Sequence, residues 1–301
     1  MGQSNISVKA RISFALAVAT ASCVLVFWTQ GIAPGHSDFS IIRAAILSGT
    51  PYKQLPGYDF VLHYPGTALA FGVPFTWVSE RVGDLIFVAL STGLLAFGLT
   101  KDGWDRIWIL PSAAFIVAIR SGQWSPLVAS AYFLPLGIVS VLKPSTGLAS
   151  LSVQDRRGWI VAIVGGFILF ALSFAVYTKW IPEWLGTLRG SWEFVAPVRR
   201  LGGFLLILSL LRWRSKEGRF LFVLSMVPQV SSWYEGLLPM LVGRTKRECQ
   251  VLSLTSSLGY LLMIPLALQS PTHEIASSTV GRMMVAFCYL PALIVVLRRE
   301  N

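Results

Sequence analysis

Long apolar runs separated by short polar breaks fill the chain. They cover residues 12–32, 66–78, 82–99, 107–119, 127–142, 146–153, 159–177, 201–211, 220–230, 237–242, 251–268 and 283–297. About 20 apolar residues cross the hydrocarbon core as a helix, so the longer runs predict transmembrane helices and the shorter ones partial spans. Lys143-Pro144 ends the fifth run, because proline cannot continue the hydrogen-bond ladder. The run after it is too short to cross upright. Lys143-Pro144 therefore reads as the tip of a hairpin at partial depth, returning to Arg156-Arg157. The pattern predicts an all-α polytopic membrane protein, one membrane-embedded domain over residues 1–301. It is expected to be a bundle of about 10–12 transmembrane or partly spanning helices.

The longest polar interruption of the N-terminal half is residues 33–65. It carries His36, Asp38, Arg43, Lys53, Asp59 and His63, with Tyr52, Tyr58 and Tyr64. Within it, residues 39–47 read as a short amphipathic helix, started by Ser37 or Asp38 and ended by Gly49, with Pro51 beyond. A second polar segment, 178–199, is rich in tryptophan (Trp180, Trp184, Trp192), as interfacial segments are. A third break, 229–235, ends in Trp233-Tyr234-Glu235.

Composition supports the membrane reading. The chain is 54% hydrophobic and 13% charged, where soluble domains carry about 25% charged residues. The net charge of +11 sits at run ends: Lys9/Arg11, Arg156/Arg157, Arg212/Arg214/Lys216/Arg219, Arg244/Lys246/Arg247 and Arg298/Arg299. That is the positive-inside pattern, not a nucleic-acid stripe interleaved with aromatics. It predicts cytoplasmic termini, the 33–65 loop outside, an inner turn at 79–81 and an outer turn at Lys101-Asp102-Gly103. Counting on, Arg120 and Gln123 fall on the inner side. The first run reads as an uncleaved signal-anchor of the cytoplasmic membrane. Cys23, Cys249 and Cys288 suggest neither a disulfide nor a zinc site.

The order of short motifs narrows the reading. DFxxxRAAxxxGxPY runs from Asp38 to Tyr52, HYPG from His63 to Gly66 opens an apolar run, Gly122-Gln123 precedes another, and Lys143-Pro144 follows it. This ordered set, over roughly the first half of the chain, resembles the GT-C superfamily of membrane glycosyltransferases. It is most similar to glycosyltransferase family 87, the bacterial alpha-mannosyltransferase-like proteins. The resemblance implies a GT-C-like bundle with an outer loop helix after the first span. It also implies a polyprenyl-phosphate sugar donor and inverting transfer of a hexose or pentose, mannose favoured, to a lipid or glycan acceptor. By the same resemblance Asp38 is the general base.

Such chemistry needs a base for the acceptor hydroxyl, positive charge at the leaving phosphate and an apolar groove for the polyprenyl tail. Asp38 alternatively caps the helix that begins beside it. Arg43, Lys143 and Arg120 are the candidates for the donor phosphate. Arg43 falls about one turn past Asp38, and its plainer role is to snorkel to headgroups. Lys143, an ionisable residue in apolar sequence, is a functional candidate by default. His36, Tyr52, Lys53, His63, Tyr64 and Gln123 are candidates for contacting the substrate. The tyrosines are equally interfacial anchors. Glu183, Glu193 and the Trp233-Tyr234-Glu235 cluster are expected on the same side as Asp38. No cofactor is assigned; a divalent ion on the loop histidines and aspartates is disfavoured, since their spacing matches no ligand motif. Two other classes compete: a transporter or flippase of lipid-linked intermediates, and a catalytically silent envelope-assembly protein.

Overall fold

The computed structural model describes residues 6–32, 37–55, 61–189, 194–270 and 272–299. Apolar α1 (Val8–Ile32) comes first. Ser37 then caps α2 (Asp38–Ser48), its hydroxyl accepting the Ser40 N–H at 2.9 Å, and Gly49 closes the helix with φ 68°. After the 33–65 loop come α3 (Gly66–Gly72) and a 3-10 turn, Val73–Trp77. Both pack back on α2, and the Arg43 guanidinium donates to the Val78 carbonyl at 3.0 Å. The run expected to cross at 66–78 therefore stays beside α2. It is too short: even a continuous helix of that length rises only about 20 Å, against a core of about 30 Å.

α4 (Glu80–Leu99) is antiparallel to α1. Arg81 donates to the Phe27 carbonyl at 3.3 Å at one end, and Arg11 to the Phe97 carbonyl at 2.8 Å at the other. Lys101-Asp102-Gly103 thus lies at the end that holds Arg11, opposite to its expected side. The next run is split at Pro111 into a 3-10 turn, Asp105–Ile109, and α5 (Ala113–Arg120), which climbs back to α2. Arg120 and Gln123 arrive at the Asp38 end, whereas the count of runs places them at the end opposite to it. The run at 127–142 is not one span either. α6 (Ser125–Ser130) descends, Pro135 and Gly137 turn the chain, and α7 (Val139–Leu142) rises again to Lys143. α8 (Pro144–Leu151) packs along α7 and leads to Gln154, whose side-chain amide donates to the Leu134 carbonyl at 3.0 Å. Lys143-Pro144 is the hairpin tip, as the proline predicted.

α9 (Arg156–Val176) and α10 (Trp180–Arg189) follow, the latter lying in the second polar segment. A 3-10 helix, Gly203–Arg212, rises about 2 Å per residue and so covers more length than its residue count suggests. α11 (Lys216–Met226) leads through an extended stretch to 3-10 turns at Trp233–Leu237 and Pro239–Val242. α12 (Lys246–Leu268) opens with a capping box of Thr245 and Glu248. α13 (His273–Met284), a π turn at Val285–Tyr289 and α14 (Leu290–Leu297) complete the bundle. Among the described residues the only extended pairing is an isolated bridge, Val195 with Gln229.

The basic clusters of Arg212 to Arg219, Arg244 to Arg247 and Arg298/Arg299 gather at one end, while Arg199, Arg200 and Arg282 lie together at the other. Arg244 pairs with Glu217 at 2.5 Å, Arg299 pairs with Glu248 at 2.8 Å, and Lys216 donates to the Tyr132 carbonyl at 2.6 Å. Arg212 donates to the Leu297 carbonyl at 3.1 Å, so the C-terminal helix ends there too. Asp38 sits at the other end. Along α4, Asp84 faces Ser37 and Phe97 faces Arg11, a separation of about 20 Å at helical rise. Among the described residues five helices are long and apolar enough to cross a membrane, within Val8–Thr29, Glu80–Leu99, Arg156–Val176, Lys246–Leu268 and Glu274–Leu297. The α1 and α9 windows are only 11% buried within the protein. Their apolar faces need a nonaqueous surround. The chain is an all-helical membrane protein.

Candidate functional site

The base of the site is a cap. The Ser37 hydroxyl accepts from Ser40 N–H and donates to Asp84 Oδ1 at 2.5 Å. Asp84, 4% exposed, thereby ties the start of α2 to α4. Gly122 closes against the same serine: its φ is +54°, and a Cβ there would overlap the Ser37 side chain. Only glycine suits that backbone and that approach. Beneath α2, Trp124 is fully buried among Phe39, Tyr64, Phe71 and Phe87, with ring centroids 5.0–6.2 Å away. The Gly-Gln-Trp segment is therefore the floor on which the Asp38 helix rests.

Because Ser37 performs the capping, Asp38 is left for other work. Its Oδ2 accepts the Tyr64 hydroxyl at 2.6 Å. Burial, and then the Asp38 carboxylate itself, hold the Tyr64 phenol well above the ordinary tyrosine range. Tyr64 thus stays a donor under all ordinary conditions. Its backbone is fixed by neighbours: the Tyr52 hydroxyl donates to the Tyr64 carbonyl at 3.1 Å, and the Trp184 indole N–H to the His63 carbonyl at 2.9 Å.

These groups open into a cavity of 620 Å³ that Asp38, His63, Tyr64, Lys143, Tyr234 and Glu235 line. Its remaining wall is mainly apolar, including Ile41, Leu62, Leu148, Leu188, Phe194 and Val230. Size and lining suit a small polar group carried on an apolar one. Lys143 comes from the hairpin tip and Glu235 from the break after α11. They form a buried pair, Nζ to Oε1 2.6 Å, at 6% and 1% exposure. The Ser125 hydroxyl lies 3.4 Å from Glu235 Oε2, and Lys143 Nζ stands 5.4 Å from the Tyr234 ring centre.

The sequence-named residues divide cleanly. Asp38, His63, Tyr64 and Lys143 meet in the cavity. Arg43 does not reach it: five helical positions from Asp38 turn it about 140° around α2, and it serves the Val78 carbonyl instead. Arg120 is exposed at the end of α5 and does not line the cavity. Gln123 is buried in the floor, donating to the Ser121 carbonyl at 3.2 Å. Tyr52 supports the cavity wall from behind, and Lys53 is exposed. Glu183 accepts the Tyr177 hydroxyl at 2.9 Å and lies off the cavity, whereas Tyr234 and Glu235 line it. His36, Tyr58, Asp59, Trp192 and Glu193 lie outside the described residues. Sequence reasoning missed the partnership of Lys143 with Glu235 and the service of Tyr64 to Asp38. The first had a signal: two opposite charges in apolar sequence, each needing a partner on burial.

No family model matches the chain, and no curated protein and no solved structure matches it either.

Proposed function

We propose that the chain is a GT-C-like glycosyltransferase of the cytoplasmic membrane, with the Asp38 end outside and the basic end in the cytoplasm. It moves a hexose or pentose, mannose favoured, from a polyprenyl-phosphate sugar to a lipid or glycan acceptor. The observation that carries this reading is one cavity holding a carboxylate released from capping, a lysine and a mainly apolar wall. Asp38 takes the proton of the acceptor hydroxyl as that oxygen attacks the anomeric carbon. Tyr64 holds one carboxylate oxygen, so the other is the one that serves as base. The anomeric bond to phosphate breaks as the new bond forms, with inversion. Lys143 receives the leaving phosphate: one of its three N–H bonds goes to Glu235, and two remain for phosphate oxygens. The apolar wall takes the first isoprene units. The basic clusters at the opposite end support the orientation through the positive-inside rule.

The test is transfer of radiolabelled sugar from polyprenyl-phosphate sugars by membranes carrying the wild-type chain or Asp38→Asn. Loss of transfer, with the variant present in the membrane at normal level, supports the reading. Equal transfer removes Asp38 from the mechanism.

A further inference from the structure

A second cavity opens at the Asp38 end, beside the first. Its volume is 660 Å³, and Arg199, Arg200 and Arg282 line it against one carboxylate, Glu274. The Val195–Gln229 bridge stands between the two cavities. Phe194 and Val230 line the first, Val195 and Ser231 the second. None of the proposed transfer chemistry uses these arginines.

The arginines are not equivalent. Arg199 and Arg282 are exposed. Arg200 is partly buried and held: its Nη2 donates to Ser231 Oγ at 2.5 Å and to the Val195 carbonyl at 3.5 Å. Arg200 lies over Gly281 of α13, where any Cβ would overlap the guanidinium. The bundle thus leaves space for this one side chain to reach the cavity. Leu201 and Phe204 line the same cavity and are 77% and 63% exposed.

Guanidinium groups bind phosphate through paired N–H bonds, and clustered arginines at a membrane face attract anionic headgroups. Exposed apolar side chains at the mouth are out of place for a free anion and suit acyl chains. We propose that this cavity binds the phosphate headgroup of an anionic membrane lipid. Arg200, Arg282 and Ser231 hold the phosphate, and Leu201 and Phe204 meet the chains.

The probe is dioctanoyl phosphatidic acid, titrated by calorimetry into the full chain purified in a neutral detergent. Inorganic phosphate runs in parallel. The lipid is expected to bind at least about tenfold more tightly than inorganic phosphate. Arg200→Gln with Arg282→Gln is expected to weaken the lipid about tenfold or more. Arg282→Gln alone changes an exposed side chain and spares the fold; it is expected to lose about threefold or more. Gly281→Leu, which displaces Arg200 without removing a charge, is expected to weaken binding as well. Arg156→Gln with Arg157→Gln, at the opposite end, leaves it unchanged. Unaltered binding in Arg282→Gln and the double variant overturns the proposal. Equal affinity for phosphate and lipid, or equal weakening by the Arg156 and Arg157 changes, overturns it too, as a free-anion site or nonspecific attraction.

Discussion

Removing one partner of the Lys143–Glu235 pair leaves the other charge buried. The two groups are 2.6 Å apart, at 6% and 1% exposure, and the nearest substitute for Lys143, the Ser125 hydroxyl, is 3.4 Å from the carboxylate. Breaking a buried pair from one side costs about 3–5 kcal/mol, while replacing both charges by apolar groups of similar volume is often near neutral. Lys143→Met and Glu235→Leu are therefore each expected to lower unfolding free energy by about 3–5 kcal/mol. The double variant should recover about 2 kcal/mol or more over either single one. The assay is denaturant unfolding of purified protein in detergent, followed by tryptophan fluorescence. Trp233, 3% exposed and two residues from Glu235, lies close to the change. Single variants within about 0.5 kcal/mol of wild type, or losses that simply add in the double variant, would refute the reasoning. The double variant also separates stability from chemistry: it should fold and still fail to transfer sugar.

Further outcomes follow from the same geometry. Gly122→Ala must push a Cβ into Ser37 at φ +54°, so a loss of about 2 kcal/mol or more in the same unfolding assay is expected. Tyr64→Phe removes a hydrogen bond to a charged group worth about 1.5–3 kcal/mol, so the transfer rate should fall about 10–100-fold. Since the Tyr64 phenol is held above its ordinary range, its neutral donor form persists as pH rises through about 10. The ratio of wild-type to Tyr64→Phe rates should stay constant between neutral pH and that point, and a ratio that collapses there would contradict the assignment. Arg43→Gln and Arg120→Gln, both off the cavity, should keep transfer within about threefold of wild type.

How far the sequence could be read depended on how local each feature is. The α2 cap was legible because Ser37, Gly49 and Pro51 act through neighbouring backbone. The hairpin tip was legible because Pro144 breaks a ladder wherever it falls. The number of crossings before Gln123 was not. Residues 66–78 are apolar enough to look like a span, and only their packing on α2 shows that they turn back. That single run reversed the expected side of the Lys101 turn and of Arg120 and Gln123. The break at Pro135 and Gly137 was lost within an apolar stretch for the same reason. Of the site, Asp38, His63, Tyr64 and Lys143 were named from motif order. Their joint cavity, and the partner each charge found, depended on contacts between segments far apart in the chain, 92 positions for Lys143 with Glu235 and 121 for His63 with Trp184. Local pattern carries no record of those.

The central claim is sugar transfer with Asp38 as base. The most direct measurement uses purified protein in lipid discs, a polyprenyl-phosphate sugar donor, and membrane lipid extract as acceptor. It follows release of polyprenyl phosphate and the anomeric configuration of the product. The account predicts release by the wild-type chain with inversion at the anomeric carbon, and none by an Asp38→Asn variant of normal helical content. Release at equal rates from both proteins, or a product that retains the donor configuration, would contradict it.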